Sequence, residues 1–212
     1  MLIDPGVAAA FCLAALVMAL VPGPDLLFIA ATGLASGRRA GVLAALGMAA
    51  GLAVHTTAAA FGLGALLQAF PTAFNVIRIL GAIYLVWLAI SSFRAAGAPE
   101  LLEPQQLERA YSPRRIFTRA LLTNLANPKV IAFYLAFFPQ FINPSQGHTT
   151  AQFFILGVLF IAVGLCVDAT AGLLAGNLGD FARRRPAFQK WLHRLSGTIF
   201  AGLAVRLAAD TR

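Results

Sequence analysis

Six long apolar stretches follow one another along the chain, each near the roughly 20 residues that a helix needs to cross a bilayer. The first covers about residues 5–35, the second about 40–67 and the third about 74–93. A polar stretch then carries Pro99, Glu100, Glu103, Pro104, Glu108 and Arg109. Beyond it the fourth apolar stretch covers about 116–141, the fifth about 150–178 and the sixth about 191–209. The sixth is short and contains Arg206. Two stretches are interrupted: the first by Pro22-Gly23-Pro24, the fourth by Asn127-Pro128. The pattern predicts an all-α integral membrane protein with six transmembrane helices, of which helices one and four are broken.

The first three stretches resemble the last three. Arg78-Ile79-Leu80-Gly81-Ala82-Ile83-Tyr84 reappears as Arg194-Leu195-Ser196-Gly197-Thr198-Ile199-Phe200, 116 residues later (194 − 78). Gly51-Leu52-Ala53-Val54-His55-Thr56-Thr57-Ala58 reappears as Gly164-Leu165-Cys166-Val167-Asp168-Ala169-Thr170-Ala171, 113 residues later (164 − 51). The chain therefore reads as one membrane domain over residues 1–212. It divides into a repeat over about 5–95, a loop over about 96–112 and a second repeat over about 113–209. An odd number of spans per repeat turns the halves in opposite directions across the bilayer. Inverted repeats place a binding site at the midplane between them, an arrangement that belongs to transporters.

Composition agrees. The 212 residues are 59% hydrophobic and 11% charged, with a mean hydropathy of +0.80, whereas a soluble domain carries about 25% charge. The net charge of +8 would suit nucleic acid, but the basic residues stand at the ends of apolar runs rather than on one soluble face. The lipid bilayer is the expected surrounding, and nucleic acid is not an expected partner. Arg38 and Arg39 fall in loop one, and Arg94, Arg109, Arg114, Arg115 and Arg119 in or beside loop three. Arg183, Arg184, Arg185, Lys190 and Arg194 fall in or beside loop five, so 12 of the 16 basic residues share one side. The positive-inside rule makes that side cytoplasmic and puts both termini outside. Met1-Leu2-Ile3-Asp4 lacks a basic start, so no cleaved signal peptide is expected. Cys12 and Cys166 read as small buried apolar side chains, in no metal or redox spacing, and no cofactor is expected.

The breaks carry the candidate chemistry. Proline removes an amide donor and clashes with the preceding turn, so Pro22, Pro24 and Pro128 each end one helix or open another. In hydrocarbon the freed carbonyls need partners, so such a break survives only against protein or a wet cavity. Pro24 and Pro128 suit the first position of a new half-helix, with Gly23 and Asn127 as the residues before it. Asp25 and Lys129 follow in equivalent places. The dipole of a helix start favours Asp25 and disfavours Lys129. The lysine therefore calls for a partner, and Asp25 is the obvious one by pseudo-symmetry. The two form a structural ion pair, contact a substrate, or do both.

His55 and Asp168 are the second matched pair, each about 15 residues, or roughly 22 Å, from the nearest cytoplasmic basic residue. A carboxylate at that depth costs about 2.5–3.5 kcal/mol on insertion scales, which makes Asp168 a candidate proton carrier. His55 reads equally as a satisfied core residue or as a partner in proton transfer. Gly47 and Gly51, and likewise Gly172 and Gly176, have the four-residue spacing that lets helices approach closely. Of Phe133, Tyr134, Phe137 and Phe138, most read as facing lipid or core, with one or two free to line a site.

Pro22-Gly23-Pro24-Asp25, Gly37-Arg38-Arg39-Ala40-Gly41, Asn124-Leu125-Ala126-Asn127-Pro128-Lys129 and Pro139-Gln140-Phe141, in that order, resemble the LysE/RhtB amino-acid exporters. The resemblance runs nearly end to end. It implies a six-span carrier of the bacterial inner membrane that exports amino acids, neutral or hydroxylated ones and in some branches basic ones, by proton antiport. Many members have asparagine where this chain has Asp25. On this reading Pro22, Gly23, Pro24, Asp25, Asn127, Pro128 and Lys129 bind the substrate. Half-helix amino termini take its carboxylate, and Asp25 or freed carbonyls take its ammonium group. Asp168, with His55, carries the coupling proton.

Two other functions compete. A thiol–electron carrier needs a matched cysteine in each half, and Cys12 has no counterpart beside Asn127. A divalent metal-ion exporter wants several midplane ligands, and only His55, Asp25 and Asp168 are offered. No nucleophile–base motif suggests an enzyme. The sequence leaves the oligomeric state open, a homo-oligomer included.

Overall fold

Proline decides where the first helix stops. In the computed structural model, α1 (Pro5–Leu20) opens with Pro5 under an Asp4 cap, whose Oδ1 accepts from the Gly6 and Val7 amides at 2.8 and 3.3 Å. It ends just before Pro22, which has no amide to extend it. α2 (Pro24–Ser36) starts afresh with Pro24 at its first position and leaves at 56° to α1. Gly37, at φ +86°, turns the chain directly into α3 (Arg38–Ala58), which closes in a π turn over Ala59–Leu63. The second broken span repeats the device. α4 (Pro113–Leu125) stops at Ala126, and α5 (Pro128–Ala132) restarts on Pro128. α5 continues through a π turn, Phe133–Phe137, and a 3-10 turn, Phe138–Phe141, and the two parts of the span meet at 47°. A short 3-10 turn, Pro144–Gln146, leads to α6 (Thr149–Arg184).

The structure describes residues 2–63 and 112–184, with side chains to 175, and isolated helical positions between Val76 and Arg94 and between Arg194 and Val205. All described elements are helical. Arg38–Leu63 and Thr149–Ala175 are long and apolar enough to cross a membrane, and each bent pair passes the same test taken as one unit, which gives up to four candidate spans. These four correspond to expected spans one, two, four and five. Spans three and six, the loop over about 96–112 and the repeat segments at Arg78 and Arg194 lie outside the continuously described residues. The fifth helix runs past its expected end near 178 to Arg184. Backbone pairing needs no apolar side chain, so a helix can outlast the hydrophobic pattern that reveals it.

α3 is the hub, packed against α2, α4 and α6, while α1 and α2 also lie on α6. Glycines set the distances. A Cβ on Gly47 would meet the Phe117 carbonyl oxygen at 2.6 Å, and one on Gly51 would meet Asn124 Oδ1 at 2.5 Å. The spacing marked Gly172 but not its partner: a Cβ on Gly41 would lie 2.6 Å from the Gly172 oxygen, backbone against backbone across the α3–α6 contact. The surroundings of Gly176 lie outside the described side chains.

Two apolar clusters result. One is aromatic and gathers on Phe11, with Phe133, Phe138, Phe141 and Phe160 ringed around it at centroid distances of 5.0–6.3 Å. The other is built of small side chains, with Ala40, Ala44, Ala45, Ala120 and Ala171 around Ile29 and Met48. Phe133, Tyr134, Phe137 and Phe138 are all buried, so none of them faces lipid. Leu13, Phe61, Leu122 and Val158 are instead exposed, as outward side chains of a membrane bundle should be. The cysteines also depart from expectation. Cys166 is exposed and Cys12 only partly buried, because both fall on outward positions of their helices.

Candidate functional site

Buried polar side chains from both halves of the chain come together around the helix breaks. Asp25 on α2, Thr56 on α3, Asn124 on α4, Asn127 and Lys129 at the start of α5, and Asp168 on α6 are all at most 9% exposed. The helix breaks create this layer. Each opens backbone groups that hydrocarbon cannot satisfy, and polar side chains are retained to meet them.

Asn127 caps α5, its Oδ1 accepting from the Lys129 amide at 3.0 Å. Gly23 precedes α2 without any side-chain cap, so the first amides of that helix carry none. Asp25 sits in this first turn, where the dipole stabilises its charge. Lys129 holds the equivalent place, but its Nζ leaves the helix start and donates to the Met18 and Val21 carbonyl oxygens at 3.0 and 2.9 Å. Those carbonyls form the negative end of α1. The lysine thus exchanges an unfavourable dipole for a favourable one.

The direct pairing of Asp25 with Lys129 is therefore corrected. Asp25 Oδ2 accepts instead from Asn124 Nδ2 at 2.8 Å. The freed carbonyls, candidates for a substrate's ammonium, are taken by the protein's own. Asp25, Lys129 and Asp168 nevertheless share one electrostatic neighbourhood, and the charge of Asp25 also reaches His55. Two carboxylates and one ammonium leave one net negative charge when all three are ionised.

His55 meets the layer at its edge. Its Nε2 lies 3.5 Å from the Asn124 carbonyl oxygen, and its ring stacks on Tyr134 at 5.4 Å. Tyr134 donates to the Leu52 carbonyl oxygen at 3.0 Å, and its hydroxyl oxygen lies 2.7 Å from Thr56 Oγ1. Among the described residues no hydrogen bond or ion pair joins His55 to Asp168, so their match in the repeat is not a contact. Pro22, Pro24 and Pro128 shape the breaks through the backbone, with Pro24 and Pro128 at the first positions of α2 and α5.

Three buried polar atoms find no partner: Asp25 Oδ1, Asn124 Oδ1 and Asn127 Nδ2. An unsatisfied buried group costs about 1–3 kcal/mol, and more when charged. Asn124 Oδ1 is pressed toward Gly51, whereas Asp25 Oδ1 is a carboxyl oxygen left open. No group of three His, Cys, Asp or Glu residues suited to a metal ion occurs among the described residues. Tyr134 is one of the aromatics that the sequence left free to line a site, but Asn124 and Thr56 were not among its candidate site residues. An asparagine inside an apolar run, one turn before Asn127, was the available signal.

The model of the LysE type translocator family matches residues 16–211. The chain is 36% identical over 200 residues to a homoserine/homoserine lactone efflux protein of Salmonella typhimurium, covering 94% of this chain and 95% of that one. It is also 36% identical over 199 residues to an uncharacterized membrane protein of Vibrio cholerae, with the same coverage of both chains. No solved structure matches it.

Proposed function

This chain belongs to the LysE translocator family, and we propose that it exports amino acids from the bacterial cytoplasm across the inner membrane by proton antiport. The observation that carries the reading is the open Oδ1 of Asp25, a buried carboxyl oxygen beside the uncapped start of α2. A primary ammonium group satisfies that oxygen, and the uncapped amides and Asn127 Nδ2 offer neutral donors to the rest of an amino acid. Homoserine and its lactone, for which a relative is named, share the ammonium but not the carboxylate. That supports Asp25 as the group that reads the substrate. A divalent metal ion fits less well, because the Lys129 ammonium would repel it within the same layer.

Charge balance supports the antiport. The substrate's ammonium answers Asp25 while neutral donors hold any carboxylate it carries, and a proton on Asp168 removes the layer's other negative charge. If the two alternate, one leaves as the other enters, and access alternates around the two breaks. Efflux of each amino acid from loaded cells, with and without the protein, tests this directly. Homoserine or another amino acid should leave faster with it. Asp168→Asn should retain binding but lose acceleration by an imposed pH gradient. Movement of divalent cadmium without movement of any amino acid would overturn the reading.

The basic-residue bias supports cytoplasmic loops at Arg38, Glu103 and Arg184, with both termini outside. Single cysteines at these loops, in a chain without Cys12 and Cys166, should resist an impermeant thiol reagent in intact cells. Labelling at Glu103 from outside would reverse the orientation.

A further inference from the structure

Residue 22 is where an uninterrupted α1 would offer the amide for the Met18 carbonyl oxygen, four residues earlier. Proline removes that amide, and the Val21 carbonyl lies at the bend where helical pairing stops. Both oxygens are met by Lys129 Nζ from the opposite half of the chain, and the lysine stem lies across Gly23, within 3.4–3.7 Å of where a Cβ would stand. Two of the three ammonium hydrogens are thus committed to backbone. We infer that Lys129 is a positioning residue for the first break rather than a contact for the substrate's carboxylate. It supplies the donors that Pro22 withholds, and so holds the start of α2, with Asp25 at its second position, against α5. The transport readout below rests on the exporter reading, but the stability readout does not.

A double-mutant cycle tests the assignment. Lys129→Met should lower the yield of folded protein about fivefold or more and reduce the thermal midpoint in detergent. Pro22→Ala returns an amide that reaches Met18 once Val21, extended here at ψ 121°, becomes helical, so it should restore much of both losses in the Lys129→Met background while changing little alone. Lys129→Arg, which keeps charged donors, should stay closer to the parent. In transport, Lys129→Arg and the double variant should slow L-homoserine and L-homoserine lactone in the same proportion, with an unchanged ratio of half-saturation concentrations. Selective weakening toward homoserine, with the lactone spared, would make Lys129 a carboxylate contact and overturn the assignment. A double variant no better than the sum of its singles, unfolded protein included, would also overturn it. If the parent protein moves neither compound, the exporter reading fails, and the stability cycle still decides the role of Lys129.

Discussion

Asp25→Ala should abolish export, whereas Asp25→Asn should leave the protein folded and weaken it as a carrier. The two variants separate the two oxygens of this side chain. Oδ2 holds Asn124 Nδ2 at 2.8 Å, a bond between buried groups on α2 and α4. Alanine removes the acceptor and strands the amide, at about 1–3 kcal/mol. Asparagine can keep that acceptor. What it cannot keep is the charge on the open Oδ1. A charge-assisted hydrogen bond contributes about 1.5–3 kcal/mol, so half-saturation for an ammonium-bearing substrate should rise by about 10- to 100-fold. Transport kinetics in proteoliposomes, alongside folded yield, provide the measurement. Export by Asp25→Ala at the parent rate would remove Asp25 from the site.

Gly41→Ala and Gly172→Ala should be the most damaging small substitutions outside the polar layer. A Cβ on Gly41 would come within 2.6 Å of the Gly172 oxygen and 2.8 Å of its Cα. From the other side, a Cβ on Gly172 would reach the Gly41 carbonyl carbon at 2.6 Å. The obstacle in each direction is backbone, which cannot rotate away as a side chain can. The helices must part, at a cost of about 1–3 kcal/mol for overpacking. The double variant should cost less than the sum, since helices already parted by one methyl accommodate the second. Gly62→Ala, with nothing within 4 Å of the added carbon, is the control and should be neutral. Thermal unfolding in detergent reads these effects. Because Gly172 lies one turn beyond Asp168, transport should fall with stability. Equal midpoints for Gly41→Ala and Gly62→Ala would contradict the packing.

Local chemistry made the helix breaks legible. Pro22, Pro24 and Pro128 act on their own backbone and nearest turn, so their effect needs no knowledge of the rest of the chain. The same holds for the Asn127 cap, for Pro24 and Pro128 at first helical positions, and for four apolar stretches that are helical here and long enough to cross a membrane, two of them as bent pairs. A charge within an apolar run is likewise visible from sequence, because its insertion cost does not depend on its partner. Asp25, Lys129 and Asp168 were found that way, and all three are buried. Their partners were not found. Pseudo-symmetry suggested Asp25 for Lys129, but the choice among a carboxylate, an asparagine amide and two carbonyls depends on distances across roughly a hundred residues of chain. Helix packing sets those distances, and here it depends on contacts such as Gly41 against Gly172, where a local period can mark one glycine but not the partner it meets. Packing also turned Cys166 outward and Phe133 inward, since an apolar run identifies a span without identifying its inner face. The sequence by itself determined where the helices break and which charges enter the membrane. Only the tertiary structure decided which group answers each charge, because hydrogen bonds extend about 3 Å and the chain brings together atoms that are far apart along it.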